Sequence, residues 1–441
     1  MRTGRLARMG SIFSLLLAVV ACSSTATPSP TVVTGSAGLA TPSPIPTPSP
    51  TVVTSSAGLA TPPPISTPNP TASPTPMAPA TVKPGPAMTV ARDGHAAVRL
   101  NDGRVLIMGG TVPFTGTCAM ACIPPATASL EIYDPSTGKF SPNGSLAQPR
   151  TGGEALLLNG GRVLVSGGNG EYGTSLNSIE LYDPAVGTSV VVKPPADMQK
   201  LPFDPTVALL ADGRVLIAGG SSDQFGNTTS NVTLIFDPAS GGFSNGPLMA
   251  KPRERATATL LDAGRVLIAG GDYSDGHGYS YPNNNAELID PPHPLAQSTL
   301  LVFQDYAVTS TLLSDGRVLV AGGGSYDSGT GLTTPAVSEV LDPRTERFTP
   351  VGPMSTPRTG SAAIKIKDGR VLLFGGVDSK GAAIGTVEAF DPDSGTFQVI
   401  ATGFPDLRDF SATLLDDGEI LIAGGQSSDW KMTAASWFLK P

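Results

Sequence analysis

The stretch that decides the fold is DGRVLIMGG, Asp102 to Gly110: a polar turn, a run of apolar residues and a pair of glycines. It returns as GGRVLVSGG, DGRVLIAGG, AGRVLIAGG, DGRVLVAGG, DGRVLLFGG and DGEILIAGG. The pairs start at Gly109, Gly167, Gly219, Gly270, Gly322, Gly375 and Gly424, so the unit recurs every 49 to 58 residues. Such a period marks one supersecondary unit copied along the chain. Upstream of the turn lies a second apolar segment, HAAVRL in the first unit, and the Asn101-Asp102-Gly103 link suits a tight hairpin. A third strand, SLEIYDP, recurs as SIELYDP, VTLIFDP, NAELIDP, VSEVLDP and TVEAFDP. Each stops at Asp-Pro, because proline cannot extend a ladder. A fourth strand starts at an aromatic seven residues on, from Tyr133 to Phe140, Phe236 to Phe243, Leu341 to Phe348 and Phe390 to Phe397. In the second and fourth units Ser189 and Ala296 stand there, which leaves those outer strands in doubt. Four antiparallel strands repeated seven times bury one another when packed face to face around an axis. The fold class is therefore all-β, a seven-bladed β-propeller of four-stranded blades.

The ring must close. The last unit ends at AASWFLKP with no fourth strand, and the missing piece stands at the front. TVKPGPAMTVAR, from Thr81 to Arg92, matches KFSPNGSLAQPR, GFSNGPLMAKPR and RFTPVGPMSTPR in length and in its final Arg. Residues 81 to 88 are expected to complete the seventh blade.

The paired glycines, the spaced aromatics and the fifty-residue period resemble kelch repeats of the galactose oxidase-like superfamily, over roughly residues 81 to 441. The resemblance implies the propeller fold. That group also includes copper radical oxidases, which need two Tyr, two His and a Tyr-linked Cys around the metal. Here His95, His277 and His293 lie in scattered contexts, so neither that chemistry nor any other cofactor is expected.

Before the repeats, the chain changes character. MRTGRLARMG carries three Arg, SIFSLLLAVV is apolar, and small residues lead to Cys22. This is similar to a bacterial lipoprotein signal, which implies lipidation of Cys22 and an extracytoplasmic, membrane-anchored protein. Two or more acyl chains would make that anchor stable. Residues 22–80 are rich in Pro, Thr, Ser and Ala, and TPSPTVVTGSAGLATPSP recurs as TPSPTVVTSSAGLATPPP. Such a segment cannot bury enough apolar surface to order itself and reads as an extended tether. The organisation is thus a signal at 1–21, a tether at 22–80 and a ring at 81–441. The formal charge of -8 repels phosphate backbones, so nucleic acid is not an expected partner, and the ring reads as a monomer.

Residues repeated in every unit serve the scaffold, and function must lie where the units differ. The Arg after each turn (104, 162, 214, 265, 317, 370) is expected to pair across strands with the third-strand Glu (131, 180, 287, 339, 388). Antiparallel alternation puts the second-to-third-strand loops and the first-strand starts on one face. That face carries the irregular insertions TVPFTGTCAMACIPPATA, DYSDGHGYSYPNNN, GSYDSGTGLTTP and QSSDWKMT. Loops on a rigid scaffold are the usual place for binding residues. Arg92, Arg150, Arg253, Arg358 and Arg408 are candidates to ring the channel mouth and attract an acidic ligand. Tyr273, His277, Tyr279, Tyr281, Tyr326 and Trp430 are candidates for an aromatic binding surface. Cys118 and Cys122, four apart in an exported loop, suit a local disulfide. Asp272 and Asp275 are calcium candidates, although their run fits no ion-loop spacing. GNGEYG at 168–173 has dinucleotide-motif form but no helix pattern after it, and no nucleophile elbow or zinc-protease helix occurs. The resulting expectation is a binding module for an envelope glycan or surface protein, with a glycan-active hydrolase, lyase or oxidase as the alternative.

Overall fold

A computed structural model describes residues 77–116, 124–196, 201–224, 227–274, 276, 280–283, 285–291, 297–300, 309–327, 331–334 and 336–441. The signal, nearly all of the tether, Cys22, Cys118, Cys122, Asp275, His277, Tyr279 and His293 lie outside these residues. Seven four-stranded antiparallel sheets form the seven blades. Blade 1 comprises Ala96–Arg99, Val105–Met108, Ser129–Asp134 and Lys139–Ser145 in spatial order. The first strands of blades 2 to 7 begin at Glu154, Thr206, Thr257, Thr309, Ala362 and Ser411. Each first strand packs against the next, and that of blade 7 packs against that of blade 1, so the first strands line the axis of a closed ring.

The repeated apolar run is explained by where its strand sits. Val105 and Ile107 pack toward blade 7, with Leu421 and Ala423. Leu106 and Met108 pack toward blade 2, with Val163 and Val165. The strand is buried on both faces and therefore carries no polar alternation. Among the described residues there are seven apolar cores, each between two neighbouring blades. Every fully buried Leu, Ile or Val there contributes on the order of 2 kcal/mol.

Ring closure follows the expectation from the front segment. Thr81–Pro84 pairs antiparallel with Ser436–Lys440, Val82 opposite Leu439. The ring starts slightly earlier than residue 81, since the Ala80 N–H donates to Ile400 O at 2.7 Å in blade 6. The spaced aromatics are cross-strand partners, with ring centroids 5.1 Å apart for Tyr133 and Phe140 and 4.8 Å for Phe236 and Phe243. The two doubtful outer strands form without that aromatic, as Thr188–Val192 and Gln297–Leu300.

The glycine pair has a steric cause. Gly109 and Gly110 both have positive φ, 65° and 95°. A Cβ on Gly109 would lie 2.4 Å from Arg150 O of the next blade, and the Gly110 N–H donates to that same oxygen at 2.8 Å. The contact recurs around the ring and closes it, with Gly425 N–H donating to Arg92 O at 2.8 Å. Only glycine permits both the φ and the approach.

Candidate functional site

Strand alternation gives the disk two faces. The turn face holds the first hairpin turns and the Asp-Pro turns; the loop face holds the second-to-third-strand loops and the crossovers between blades. Bridges such as Asp93 with Thr111, Thr151 with Asn169 and Glu254 with Asp272 bind the start of each first strand to its own blade's loop. The first-strand starts and the insertions thus share a face, as alternation requires.

Two expectations about arginine are corrected. The Arg after each hairpin turn lies on the turn face, and in four blades it pairs with the turn's own Asp: Arg104 with Asp102, Arg214 with Asp212, Arg317 with Asp315 and Arg370 with Asp368. Arg162, Arg265 and Arg317 also donate to the carbonyl of Pro238, Pro343 and Pro392 in the Asp-Pro turn of the following blade. The third-strand Glu instead pairs with the Arg at the first-strand start. These bonds measure 2.8 Å for Arg92 and Glu131, 2.6 Å for Arg150 and Glu180, 2.8 Å for Arg253 and Glu287, and 2.7 Å for Arg358 and Glu388. All four pairs are buried, so these arginines do not ring the channel mouth. Each guanidinium also donates to a glycine carbonyl, such as Gly167 O at 2.5 Å from Arg150. Each Glu accepts two N–H groups of the incoming crossover, as Glu287 does from Ala250 and Lys251. The pair staples the crossover onto the blade.

Arg408 is a separate case. It stands one position later than the other four, and Leu407 and Trp437 occupy the places of the Arg and Glu in blade 7. Its guanidinium lies 3.6 Å from the centroid of the Trp430 ring, and its Nε donates to Gln426 Oε1 at 3.1 Å. The Gln426 amide in turn donates to Asp93 Oδ2 at 3.1 Å. Asp93 is buried; burial and the facing Asp409 charge push its carboxyl up to about 7. Burial also raises Asp409, partly opposed by Arg408.

A backbone pattern marks the rim of the channel. Six residues before the buried residue that follows each first strand, φ is positive in every blade described there: Gly94, Gly152, Asp204, Arg255, Gly360 and Asp409. Three blades satisfy this left-handed position with glycine and three place a charged side chain there. Non-glycine residues of this kind cost on the order of 1 to 2 kcal/mol each, and such strain gathers at functional sites. Arg255 pairs with Asp272 and lies 3.6 Å from Glu254, while Asp204 accepts from Gly168 N–H at 3.0 Å. Asp272 is therefore committed to an ion pair inside the fold and does not fit a calcium role.

Blades 2 to 6 also line an open cavity of about 560 Å³ against the first strands. Glu154 is exposed on it, yet the crowding of neighbouring strands desolvates its carboxyl, and this together with the charge of Asp204 pushes that group up to about 7. Val207 N–H and Thr206 Oγ1 donate to it and oppose the shift. Sequence reasoning missed Glu154, Asp204, Arg255, Asp93 and Asp409. For Glu154, Asp204, Arg255 and Asp409 the available signal was a charged residue at a ring position that is small or glycine in sister blades.

The aromatic candidates divide. Tyr273 and Tyr281 lie opposite each other in the hairpin of Asp272–Ser274 and Ser280–Pro282, stacked at 5.3 Å and 29°, with 37% and 41% exposure. Trp430, with φ 64°, is 47% exposed above Arg408. Tyr326 lies opposite Leu332 in the blade 5 hairpin. Phe114 adds an exposed ring in the blade 1 loop.

No family model matches the chain. Aldehyde oxidase GLOX of Vitis pseudoreticulata is 25% identical over 236 residues, 50% of this chain and 44% of that protein. Galactose oxidase of Gibberella zeae is 26% identical over 269 residues, 56% of this chain and 38% of that protein. A fungal alcohol oxidase of the AA5 family, solved in complex with copper, superposes with a TM-score of 0.60 at 16% identity, covering 82% of this chain and 76% of the other. The chain is a seven-bladed β-propeller that is similar to these galactose oxidase-like proteins. It spans about two fifths of the length of the curated relatives named above. A copper site of two His and two Tyr does not fit the described residues. His95, its Nε2 2.8 Å from Ser411 Oγ, is buried, and burial and the Arg92 charge lower it to about 3. Among the described residues no three His, Cys, Asp or Glu side chains are grouped to hold a metal.

Proposed function

We propose that the propeller is an extracytoplasmic, lipid-tethered binding module that takes a saccharide on its loop face. The observation that carries this reading is the exposed Tyr273 and Tyr281 stack, held on a hairpin whose inner residue Asp272 is anchored to Arg255. A pre-ordered pair of rings offers apolar area with a polar tip at little ordering cost. The galactose-directed name of one relative supports a saccharide over a protein as ligand. The anchor and tether rest on the sequence before residue 81. Binding of the purified chain to an array of envelope and extracellular polysaccharides tests the reading. Retention is expected for the native chain and at least tenfold weaker retention for Tyr273→Ala combined with Tyr281→Ala. No retention on any glycan would remove it.

The oxidase reading is the second, favoured by the three oxidases to which the chain is similar. Oxygen uptake by the purified chain supplied with copper(II), with primary alcohols and sugars as substrates, separates the two. Sustained uptake above a metal-only control would establish the oxidase and demote simple binding.

A further inference from the structure

The first strand of each blade is an edge on its axial side, so its free N–H and C=O groups face the channel. Around the 560 Å³ cavity the polar side chains are Glu154, Thr206, Thr257, Thr309, Ser310 and Ser361. Cavities of about 300–1,000 Å³ are the usual size for small-molecule sites. Among the described residues Glu154 is the sole ionisable side chain in that lining. At its place in the repeat the other blades carry Ala96, Thr206, Thr257, Thr309, Ala362 and Ser411, so a single blade departs from a small or hydroxyl-bearing ring.

Among the described residues that carboxyl has neutral donors and no countercharge. Its hydrogen bonds come from Val207 N–H at 3.0 Å and Thr206 Oγ1 at 3.2 Å. The Arg150 guanidinium, four residues earlier, is turned to Glu180, and Arg255 across the rim is engaged by Asp272 and Glu254. The charge that acts on Glu154 is Asp204, of its own sign. A negative group held among hydroxyls and edge carbonyls, with repulsion from one side, is relieved by a cation. A primary ammonium has three N–H donors and no acceptor, which matches one carboxylate and surrounding hydroxyl oxygens.

We propose that the axial cavity is a second binding site, selective for a small primary ammonium compound whose charge pairs with Glu154 and whose other N–H groups donate to the threonine and serine hydroxyls. The site is separate from the saccharide surface and stands whether or not that surface binds. Binding requires the ionised carboxyl, so it strengthens as pH rises through about 7 and displaces a proton near neutrality.

Titration calorimetry of the full chain with ethanolamine tests this, with glycerol as the uncharged probe and tetramethylammonium as a cation without N–H groups. Ethanolamine is expected to bind at about pH 8 and about tenfold more weakly at pH 6, with heats that depend on buffer ionisation. Glu154→Gln, which keeps an acceptor for Val207 N–H, is expected to reduce affinity at least tenfold and remove the pH dependence. Ala258→Phe, which fills the cavity and keeps the carboxyl, is expected to abolish binding while the chain still melts cooperatively. Absence of binding at about 10 mM ligand would overturn the proposal, as would affinity unchanged in Glu154→Gln. Glycerol binding as tightly as ethanolamine with the same dependence on Glu154 would also overturn it, in favour of a polyol site.

Discussion

The two faces of the disk are made from the same repeat and have opposite characters. On the turn face the blades are nearly copies: in all seven the residue after the first strand donates its N–H to the carbonyl four residues on at 2.8–2.9 Å, from Leu100 and Arg104 to Leu415 and Glu419. On the loop face the same blades diverge, with glycine at the left-handed rim position in three and Asp204, Arg255 or Asp409 in three others. Repetition on one face provides closure of the ring. Divergence on the other puts individual charges and rings where a ligand reaches them, and the fold accepts local strain there because seven interblade cores fix the frame.

The largest test of this contrast sets one arginine against another. Arg253→Ala would strand Glu287 beside the buried crossover and is expected to cost about 3–5 kcal/mol in urea unfolding. Arg214→Ala breaks an exposed pair on the turn face and is expected to cost at most about 1 kcal/mol. Equal costs would erase the distinction between staple and decoration. A smaller effect compares glycines. Gly110→Ala meets Asp93 O at 2.6 Å, whereas Gly138→Ala, also at positive φ, meets nothing within 4 Å. The second is expected to cost about 1–2 kcal/mol from backbone strain alone, and the first clearly more. Conversely, Asp409→Gly removes the left-handed strain and is expected to raise stability by about 1–2 kcal/mol at neutral pH.

A further effect is pH-dependent and belongs to the loop face. Glu154 and Asp93 keep their protons to about 7 in the fold, against ordinary values of 4.5 and 3.8. Between those limits the native chain binds more protons than the unfolded chain, so these two groups make stability fall as pH rises. Glu154→Gln with Asp93→Asn is expected to gain stability over the parent progressively from about pH 4 to pH 8, read as a widening difference in melting temperature. A constant difference would show that neither carboxyl is perturbed.

The ring was legible because its signals repeat: a period, a hairpin turn, an Asp-Pro stop and a front segment that matches the outer strands. The partners of the arginines were not. Arg92 and Arg104 both precede Glu131 in the same unit, and spacing cannot tell which one the blade folds onto it; burial chooses Arg92 because the crossover needs a charge beneath its N–H groups. The rim acids were partly legible, since Asp204 and Asp409 stand where aligned units have Gly94, Gly152 and Gly360. Glu154 needed the axis itself, because an acid in a strand of the sequence EALL does not announce a cavity.

The account's central claim is that ligand recognition belongs to the diverged face. Its most direct test is saccharide retention by two variants of equal stability: Tyr273→Ala with Tyr281→Ala on the loop face, and Arg344→Ala on the turn face. The account predicts that the first loses retention and the second keeps it. Loss in Arg344→Ala with full retention in the tyrosine variant would contradict it.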